Sequence, residues 1–532
     1  MSQFAFLSDE FPEVFRHASK AEYLALSDPR SACFYARLSL EALVSWLYEH
    51  DGSLRDPYDE TLSARMYEAS FRRLVGNVVA TKARIIKDYG EVAVHGTPNF
   101  MPDKAVVAVR ELFHVAYWLT RTYGQGTKPS PLLVFVQEEL PRTSRIAVAT
   151  LNQLQDAARK FAKYSKARAE ADRYRLADQM QRESVRAELV VLRAKVAATK
   201  ASNTTALDTH DYEEATTRDT FIELLLQEAG WPLDKPQDRK FPVTGLPDSD
   251  FETFVDYVLW SEDGTPLGLV ETNETRKDAR AGQQQAKLYA DYFEKQFGQR
   301  PVIFYTTGYE HWVWNDTQNS PRSVQGFLTN HELQLVIQRR SVRKPLIPEE
   351  IDTTIVADVY QIRAIRPVIE ALENDHRRRA LLFMAARSGK TRAMIALIDL
   401  LKRSNWLNRV LFLADREVLV RQAVDAFKQH LPTSKPVNLV SELDDHGWVY
   451  ISTYTAMIKL IDETIDGKRL FGVGHFDLVV IDEAHPSVYR RYGAIFDYFD
   501  TLLIGLTAIP EDELDRHTYR FFGLQRNLLT DA

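Results

Sequence analysis

The chain has 532 residues, 45% of them hydrophobic, and carries 67 Lys and Arg against 74 Asp and Glu for a formal net charge of -7. Such a length holds roughly three to four domains with cores of their own, and the acidic balance excludes a chain-wide positive field for nucleic acid, so any DNA contact must be local. A single cysteine, Cys33, excludes an intramolecular disulfide framework and fits a reducing compartment.

No apolar run reaches the ~18 residues that a membrane helix needs, and the start "MSQFAFLSDEF" lacks a basic stretch followed by an apolar one. A cytoplasmic protein without membrane is expected, with Cys33 as a small buried hydrophobe. Residues 1–140 read as a helical N-terminal domain, because apolar positions recur at three- and four-residue spacing in "FYARLSLEALVSWLYEH" and "VRELFHVAYWLTRTYG". His95 in "EVAVHG" is read as structural, since neither a nucleophile nor a carboxylate pattern accompanies it.

Between Pro141 and Gly230 there is neither Gly nor Pro, and the segment is rich in Ala, Arg, Glu, Lys and Leu. Residues 141–205 therefore read as a long helical connector whose basic residues form one solvated face. The polar stretch "TKASNTTALDTHDYEE" then marks a linker.

The next segment, "TFVDYVLWSEDGTPLGLVETN", has two β-rich runs around Asp263-Gly264, a dipeptide suited to a two-residue type I′ turn with positive φ at both central residues. That loop sets Asp256 directly across from Glu271, with Asn273 two positions further along the face of Glu271. A helix, "AGQQQAKLYADYFEKQFG", and a strand, "PVIFYTTG", follow, and on the helix Gln285 and Tyr289 are four residues apart on one side. Two opposed carboxylates are costly unless neutralised, and a hard divalent cation such as Mg2+ would do so.

From "EEATTRDTFIELLLQEAGW" through "FVDYVLW", "VETN" and "GQQQAKLYAD" to "RPVIFYTTGYEHWVWND", the chain resembles the nuclease domain of the restriction subunit of type I restriction-modification enzymes, a member of the PD-(D/E)xK nucleases. The resemblance implies metal binding by Asp256 and Glu271 and matches Gln285 and Tyr289 to the family's Q-x-x-x-Y element. Where the family has Glu-x-Lys, this chain has Glu271-Thr272-Asn273. Asparagine donates hydrogen bonds but carries no charge to stabilise a crowded phosphorane. Lys287 points to a different side of the helix from Gln285, and Lys277 falls on a loop. Weak or absent cleavage is the expectation.

From Asp358 the pattern changes to short apolar strands alternating with helices: "ALLFMA", "RVLFLA", "WVYIST", "FDLVVID" and "LLIGLTA". This implies a mostly parallel sheet covered on both faces, with ligands at the carboxyl ends of its strands. The first strand leads into "AARSGKT", in which Ser388, Gly389, Lys390 and Thr391 can form a phosphate-binding loop. The strand "LVVIDEAH" ends in Asp482, suited to hold Mg2+, and Glu483, suited to orient the water that attacks the γ-phosphate.

Together with "LFLADREVLVRQA", "STYTAM" and "TAIP", these segments look like the motifs of superfamily 2 helicases and translocases, and "IDEAHPSVYRRYGAIFDYFD" resembles the type I restriction subunit's own version. By that resemblance Gln361 in "DVYQIRAI" reads the adenine of ATP, and Mg2+ rests on Thr391 and Asp482. The family's loop usually reads A-T-G-T-G-K-T, so Ala386, Arg387 and Ser388 replace Thr, Gly and Thr. A side chain at Arg387 obstructs close approach of the backbone to phosphate, although its guanidinium can bind one itself. Weakened ATP binding and turnover are expected. Nothing resembling a second RecA-like lobe follows "TAIP" before Ala532. The chain reads as a fragment or truncated product that does not translocate DNA by itself.

The fold expected is thus multidomain α/β: a helical domain, the connector, a mixed α/β nuclease-like domain over 206–345 and a first RecA-like lobe over 346–532. Its partners by resemblance are double-stranded DNA and the modification and specificity subunits, with S-adenosylmethionine entering only through the modification subunit. One reading makes the chain part of an ATP-dependent restriction endonuclease. The other makes it an impaired remnant that binds DNA, nucleotide or partner subunits without cleaving. An unrelated metabolic ATPase would need the hairpin acids, "DEAH" and "TAIP" to coincide by accident.

Overall fold

The computed structural model describes residues 2–95, 102–142, 152–160, 163, 183–205, 208–210, 212, 215–244, 253–272, 279–356, 358–385, 388–443, 447–508 and 516–523. The chain divides into two compact units, Met1–Glu223 and Leu224–Ala532.

The first unit is helical. Helix Pro29–His50 starts where the Asp28 carboxylate accepts the Ser31 N–H at 3.2 Å, with Pro29 in its first turn. Cys33, Ala36, Leu40, Leu43 and Leu47 follow at helical spacing and are all buried. Burial pushes the Cys33 thiol pKa up, as befits an inert core cysteine. Helices Ala69–His95 and Pro102–Tyr123 enclose an ion pair, Lys82 to Glu111 at 2.6 Å, with both side chains at 0% exposure. The side chain of His95 lies outside the described residues, as do 143–151, 161–162 and 164–182 of the connector. Residues 152–160 and Glu183–Thr204 of the connector are helical.

The second unit holds two six-stranded sheets. In the first, β1 (Arg239–Val243), β2 (Thr253–Trp260), β3 (Pro266–Thr272), β4 (Val302–Thr306), β5 (His311–Trp314) and β6 (Arg322–Val324) are neighbours in chain order. All pair antiparallel except β3 with β4, which are parallel. A parallel neighbour needs a crossover, and helix Ala279–Phe297 supplies it. Its Ala286, Tyr289, Ala290 and Phe293 are buried with Val255, Leu269 and Ile303 of the sheet.

The turn between β2 and β3 differs from the two-residue type I′ form expected from Asp263-Gly264. Ser261 N–H reaches the Thr265 carbonyl at 2.9 Å and Gly264 N–H reaches the Ser261 carbonyl at 3.1 Å, which encloses Glu262, Asp263 and Gly264. Only Gly264 has positive φ, +84°, while Asp263 instead accepts the Thr265 N–H at 3.0 Å through its carboxylate. This is the longer hairpin loop with glycine in the left-handed position. The extra loop residue is offset by a bulge between Leu259 and Trp260, beyond which Leu259 pairs Gly268 and Tyr257 pairs Val270. The register next to the acids is therefore the expected one, reached by a different turn.

The second sheet contains β7 (Arg379–Phe383), β8 (Val410–Ala414), β9 (Val437–Asn438), β10 (Val449–Thr453), β13 (Leu478–Ile481) and β14 (Leu502–Thr507), in the order β7-β14-β13-β8-β10-β9; β11 (Thr464–Ile465) and β12 (Lys468–Arg469) form a separate ribbon. Every pairing in this sheet is parallel. β8, β10 and β13 are buried along their whole length, as the continuous apolar runs require. This is a RecA-like lobe. Because β14 separates β7 from β13, the loop after β7 and the acids after β13 share the carboxyl edge of the sheet. Among the described residues no helix is long and apolar enough to cross a membrane.

Candidate functional site

Two sites form in the second unit. On the first sheet, the pairing of Tyr257 with Val270 sets Asp256 opposite Glu271, and directly opposed residues project from the same face. Both are buried, at 8% and 6% exposure. Beyond Glu271 the row continues to Tyr305, its partner on β4, whose ring stacks on Trp312 of β5.

On the other flank Lys240 of β1 falls between the pairs Arg239–Tyr257 and Phe241–Val255, and its ammonium donates to Asp256 Oδ1. Lys240 has φ +47°, a left-handed conformation unusual for a strand residue. Asp256 Oδ2 accepts the Thr272 N–H at 2.8 Å and the Thr272 hydroxyl. Glu271 Oε2 is buried without a hydrogen-bond partner. Burial, and then the Asp256 carboxylate, push the Glu271 pKa up to about 8, with Lys240 opposing.

The expected acids thus come together, in a low-dielectric row rather than on a solvated face. Asn273 and Lys277 lie outside the described residues. Gln285 is exposed and donates to the Tyr289 hydroxyl at 2.7 Å; the Tyr289 ring is 1% exposed, and burial raises its pKa. Lys287 is exposed. An orphaned carboxylate oxygen beside a second carboxylate suits a hard cation that completes its shell with water. Among the described residues no group of three or more His, Cys, Asp or Glu converges on a metal position. Sequence reasoning missed Lys240, because the connection from β1 to β2, residues 244–252, is too long for its turn residues to fix a register.

On the second sheet, helix Lys390–Arg403 starts immediately after Gly389, which has φ +84°. The positive φ favours glycine there, and a Cβ would stand 2.3 Å from Gln361 Nε2, so the end of that side chain would have to shift. Gln361 is buried, donates to the Ser388 carbonyl at 3.0 Å and leaves its Oε1 without a partner. Tyr360 donates through its hydroxyl to the same carbonyl. Ala386 and Arg387 lie outside the described residues, as do Ile509 and Pro510 of "TAIP".

Across the sheet edge, Lys390 Nζ meets Glu483 Oε1 at 2.8 Å. Glu483 has φ +52°. Burial, and then the Glu483 charge, raise the Asp482 pKa to about 6. Thr391, at the first turn of the helix, is half-buried. The loop, both acids and the glutamine expected at a nucleotide site therefore gather at one edge.

One family profile, described as "Type III restriction enzyme, res subunit", matches residues 354–512. Over 286 residues the chain is 28% identical to the endonuclease subunit of the type I restriction enzyme EcoAI of Escherichia coli, a match covering 50% of this chain and 34% of that protein. The EcoKI endonuclease subunit of Escherichia coli strain K12 is 30% identical over 194 residues, 31% of this chain and 16% of that protein. Over these stretches the chain is similar to the endonuclease subunits of type I restriction enzymes. As a relative of these type I subunits, it spans no more than 34% of the length of either. A solved fragment of a type I HsdR subunit from Vibrio vulnificus YJ016 is 23% identical and covers 58% of each chain, with a TM-score of 0.24.

Proposed function

We propose that the chain is the part of a type I restriction subunit that carries a DNA-cleaving site, over 206–345, and one lobe of an ATP-driven motor, over 346–532. One observation carries the reading: the row Lys240, Asp256, Glu271, with Glu271 Oε2 buried and unpartnered, shares a compact unit with a phosphate loop facing an acid-ended strand.

At the first site Asp256 and Glu271 would hold Mg2+, which supplies a polarised phosphodiester oxygen and a more acidic water. Lys240 offers the positive charge that Asn273 lacks, and Gln285 and Tyr289 position the carboxylates. At the second, the backbone of Ser388 and Gly389 and the following helix N-terminus cradle ATP phosphates. Lys390 would turn from Glu483 to the terminal phosphates, leaving Glu483 to orient water, and Thr391 and Asp482 are the residues that would hold Mg2+. Double-stranded DNA and the modification and specificity subunits are the partners of this reading, with S-adenosylmethionine on the modification subunit.

Asn273 and Arg387 favour a second reading, in which the chain binds DNA, nucleotide or partner subunits without cutting. Nicking of supercoiled plasmid with Mg2+ separates the two. Cleavage by the natural chain, lost in Asp256→Asn, supports the first reading; DNA binding without nicking, with nicking gained in Asn273→Lys, supports the second. Absence of nicking in both chains removes the nuclease assignment.

A further inference from the structure

A third site lies on the second unit, away from both of those described. A cavity of about 130 Å³ opens between β6 with helix Asn330–Val342 and the amino-terminal edge of the parallel sheet. Its wall includes Arg322, Arg339, Arg343, Arg377 and Arg378. The nucleotide motifs occupy the opposite, carboxyl edge of that sheet, and the acidic row lies on β2 and β3, so neither uses this cavity. A single water needs only about 10–15 Å³ of such space, which leaves room for a multi-atom ligand.

The acids of the wall do not balance this charge. Asp500 is engaged by Arg322, through two bonds of 2.6 Å, and by Arg378 at 2.8 Å. Asp477 accepts from Arg339 at 2.5 Å and from the backbone N–H of Arg409 at 3.0 Å. Burial pushes the pKa of Glu332, also in the wall, up to about 7. Meanwhile Arg322 Nη1, Arg339 Nη2 and Arg343 Nε are buried and without a hydrogen-bond partner. Arg343 is held over the Trp406 ring at 4.3 Å, and burial, followed by repulsion from Arg339, brings its pKa down to about 10. Unsatisfied cationic N–H groups in a crowded positive wall are costly, and an anion with several acceptor oxygens relieves both the repulsion and the missing bonds.

We propose that this cavity is a binding site for a phosphate-class oxyanion, held by Arg339, Arg343 and Arg322 at the junction of the two sheets. Planar guanidinium forks match tetrahedral oxyanions better than ammonium groups do. The ligand is free inorganic phosphate or the phosphate chain of a nucleotide, which share this chemistry. Bound there, it ties helix Asn330–Val342 to the segments that enter β7, β13 and β14. The assignment is independent of the nuclease and motor readings.

The test is thermal melting of the full chain in a phosphate-free buffer at fixed ionic strength, titrated with inorganic phosphate or with ATP, alongside phosphorus NMR line broadening of added phosphate. Lys390→Ala removes the principal cation of the phosphate loop and serves as the background. A saturable rise in melting temperature with phosphate in that background, with apparent affinity weakened at least about tenfold in Arg343→Gln or Arg339→Gln, is the expected result. Saturation by ATP but not by free phosphate, with the same dependence on Arg343, assigns the site to a nucleotide's phosphates. An affinity unchanged in both arginine variants, no saturable effect of either ligand, or an effect abolished by Lys390→Ala overturns the proposal. NMR broadening reports binding directly should an arginine variant melt too low for the thermal assay.

Discussion

Glu271 stands across the strand pair from Asp256, and the two carboxyls share one face with Lys240 bonded to only the second of them. The consequence is a protonation equilibrium near neutrality. Glu271 has its folded pKa raised from 4.5 to about 8, so its neutral form stabilises the fold fully below 4.5 and that contribution fades as pH rises through 8. Glu271→Gln, which is neutral at every pH, should melt above the natural chain at pH 9 and near it at pH 5. Mg2+ should lower the pKa, raise the melting temperature of the natural chain and release a proton on binding near pH 7. Calorimetry in two buffers of different ionisation enthalpy checks this. No proton release, or equal Mg2+ stabilisation in Glu271→Gln, removes the cation from the pair.

The charge that assists phosphodiester cleavage should come from β1. If Lys240 substitutes for the lysine replaced at Asn273, then Lys240→Ala lowers any nicking rate by about 10² or more. In the Asn273→Lys background the same change should matter far less. Nicking kinetics of the four chains form a double-mutant cycle. Additive effects would show that the two lysines do not serve one role.

These two predictions differ in how far the sequence foretold them. The opposition of Asp256 and Glu271 was read correctly because alternation pins side chains to faces and the bulge cancels the extra loop residue, which returns the pairing to the register that a two-residue turn would give. The turn itself was not: Asp263-Gly264 allows both a two- and a three-residue loop, and the compensating bulge at Leu259 and Trp260 leaves no composition signal. The parallel lobe was legible because its strands are buried on both faces and read as unbroken apolar runs. Lys240, the salt bridge from Lys390 to Glu483 and the arginine cavity were not, since each depends on pairing between distant segments. Asn273 and Arg387, the two departures most readily seen in the sequence, lie outside the described residues.

Removing the acid that faces Lys390 should separate nucleotide binding from turnover. Glu483→Gln abolishes the 2.8 Å ion pair and frees the ammonium for phosphate, so ATP affinity is maintained or improved. If Glu483 orients the attacking water, as proposed, hydrolysis should fall by about 10² or more. Lys390→Ala should weaken binding itself. Equilibrium binding of a fluorescent ATP analogue, paired with phosphate release, distinguishes these outcomes. Equal loss of affinity in both variants would mean that the ion pair organises the loop rather than competing with phosphate.

Inside the helical unit, the Lys82–Glu111 pair is fully buried at 2.6 Å. Glu111 also accepts from Arg110 at 3.0 Å, so its carboxylate serves two cations. Glu111→Gln removes that shared charge from a buried site and should cost about 3–5 kcal/mol, whereas replacing Lys82 and Glu111 together with apolar residues of similar volume should cost less. Denaturant unfolding of Glu111→Gln, Lys82→Met and the double variant Lys82→Met with Glu111→Leu measures this. Comparable losses in all three would place the stabilisation in packing rather than in charge.

Base selectivity should reside in Gln361. Its amide is pinned on the phosphate loop by the 3.0 Å bond to the Ser388 carbonyl, and its Oε1 is buried with no donor. An adenine amino group can satisfy that acceptor, while the second amide hydrogen remains for the ring nitrogen. Gln361→Glu keeps the shape but removes both amide donors, so it should release the loop and reduce discrimination of ATP over GTP by about 1–3 kcal/mol. Gln361→Ala should lose the same discrimination without introducing a charge. Competition of ATP and GTP for the natural chain and both variants reads the ratio directly. An unchanged ratio would leave Gln361 as a support for Gly389 alone, with adenine read elsewhere.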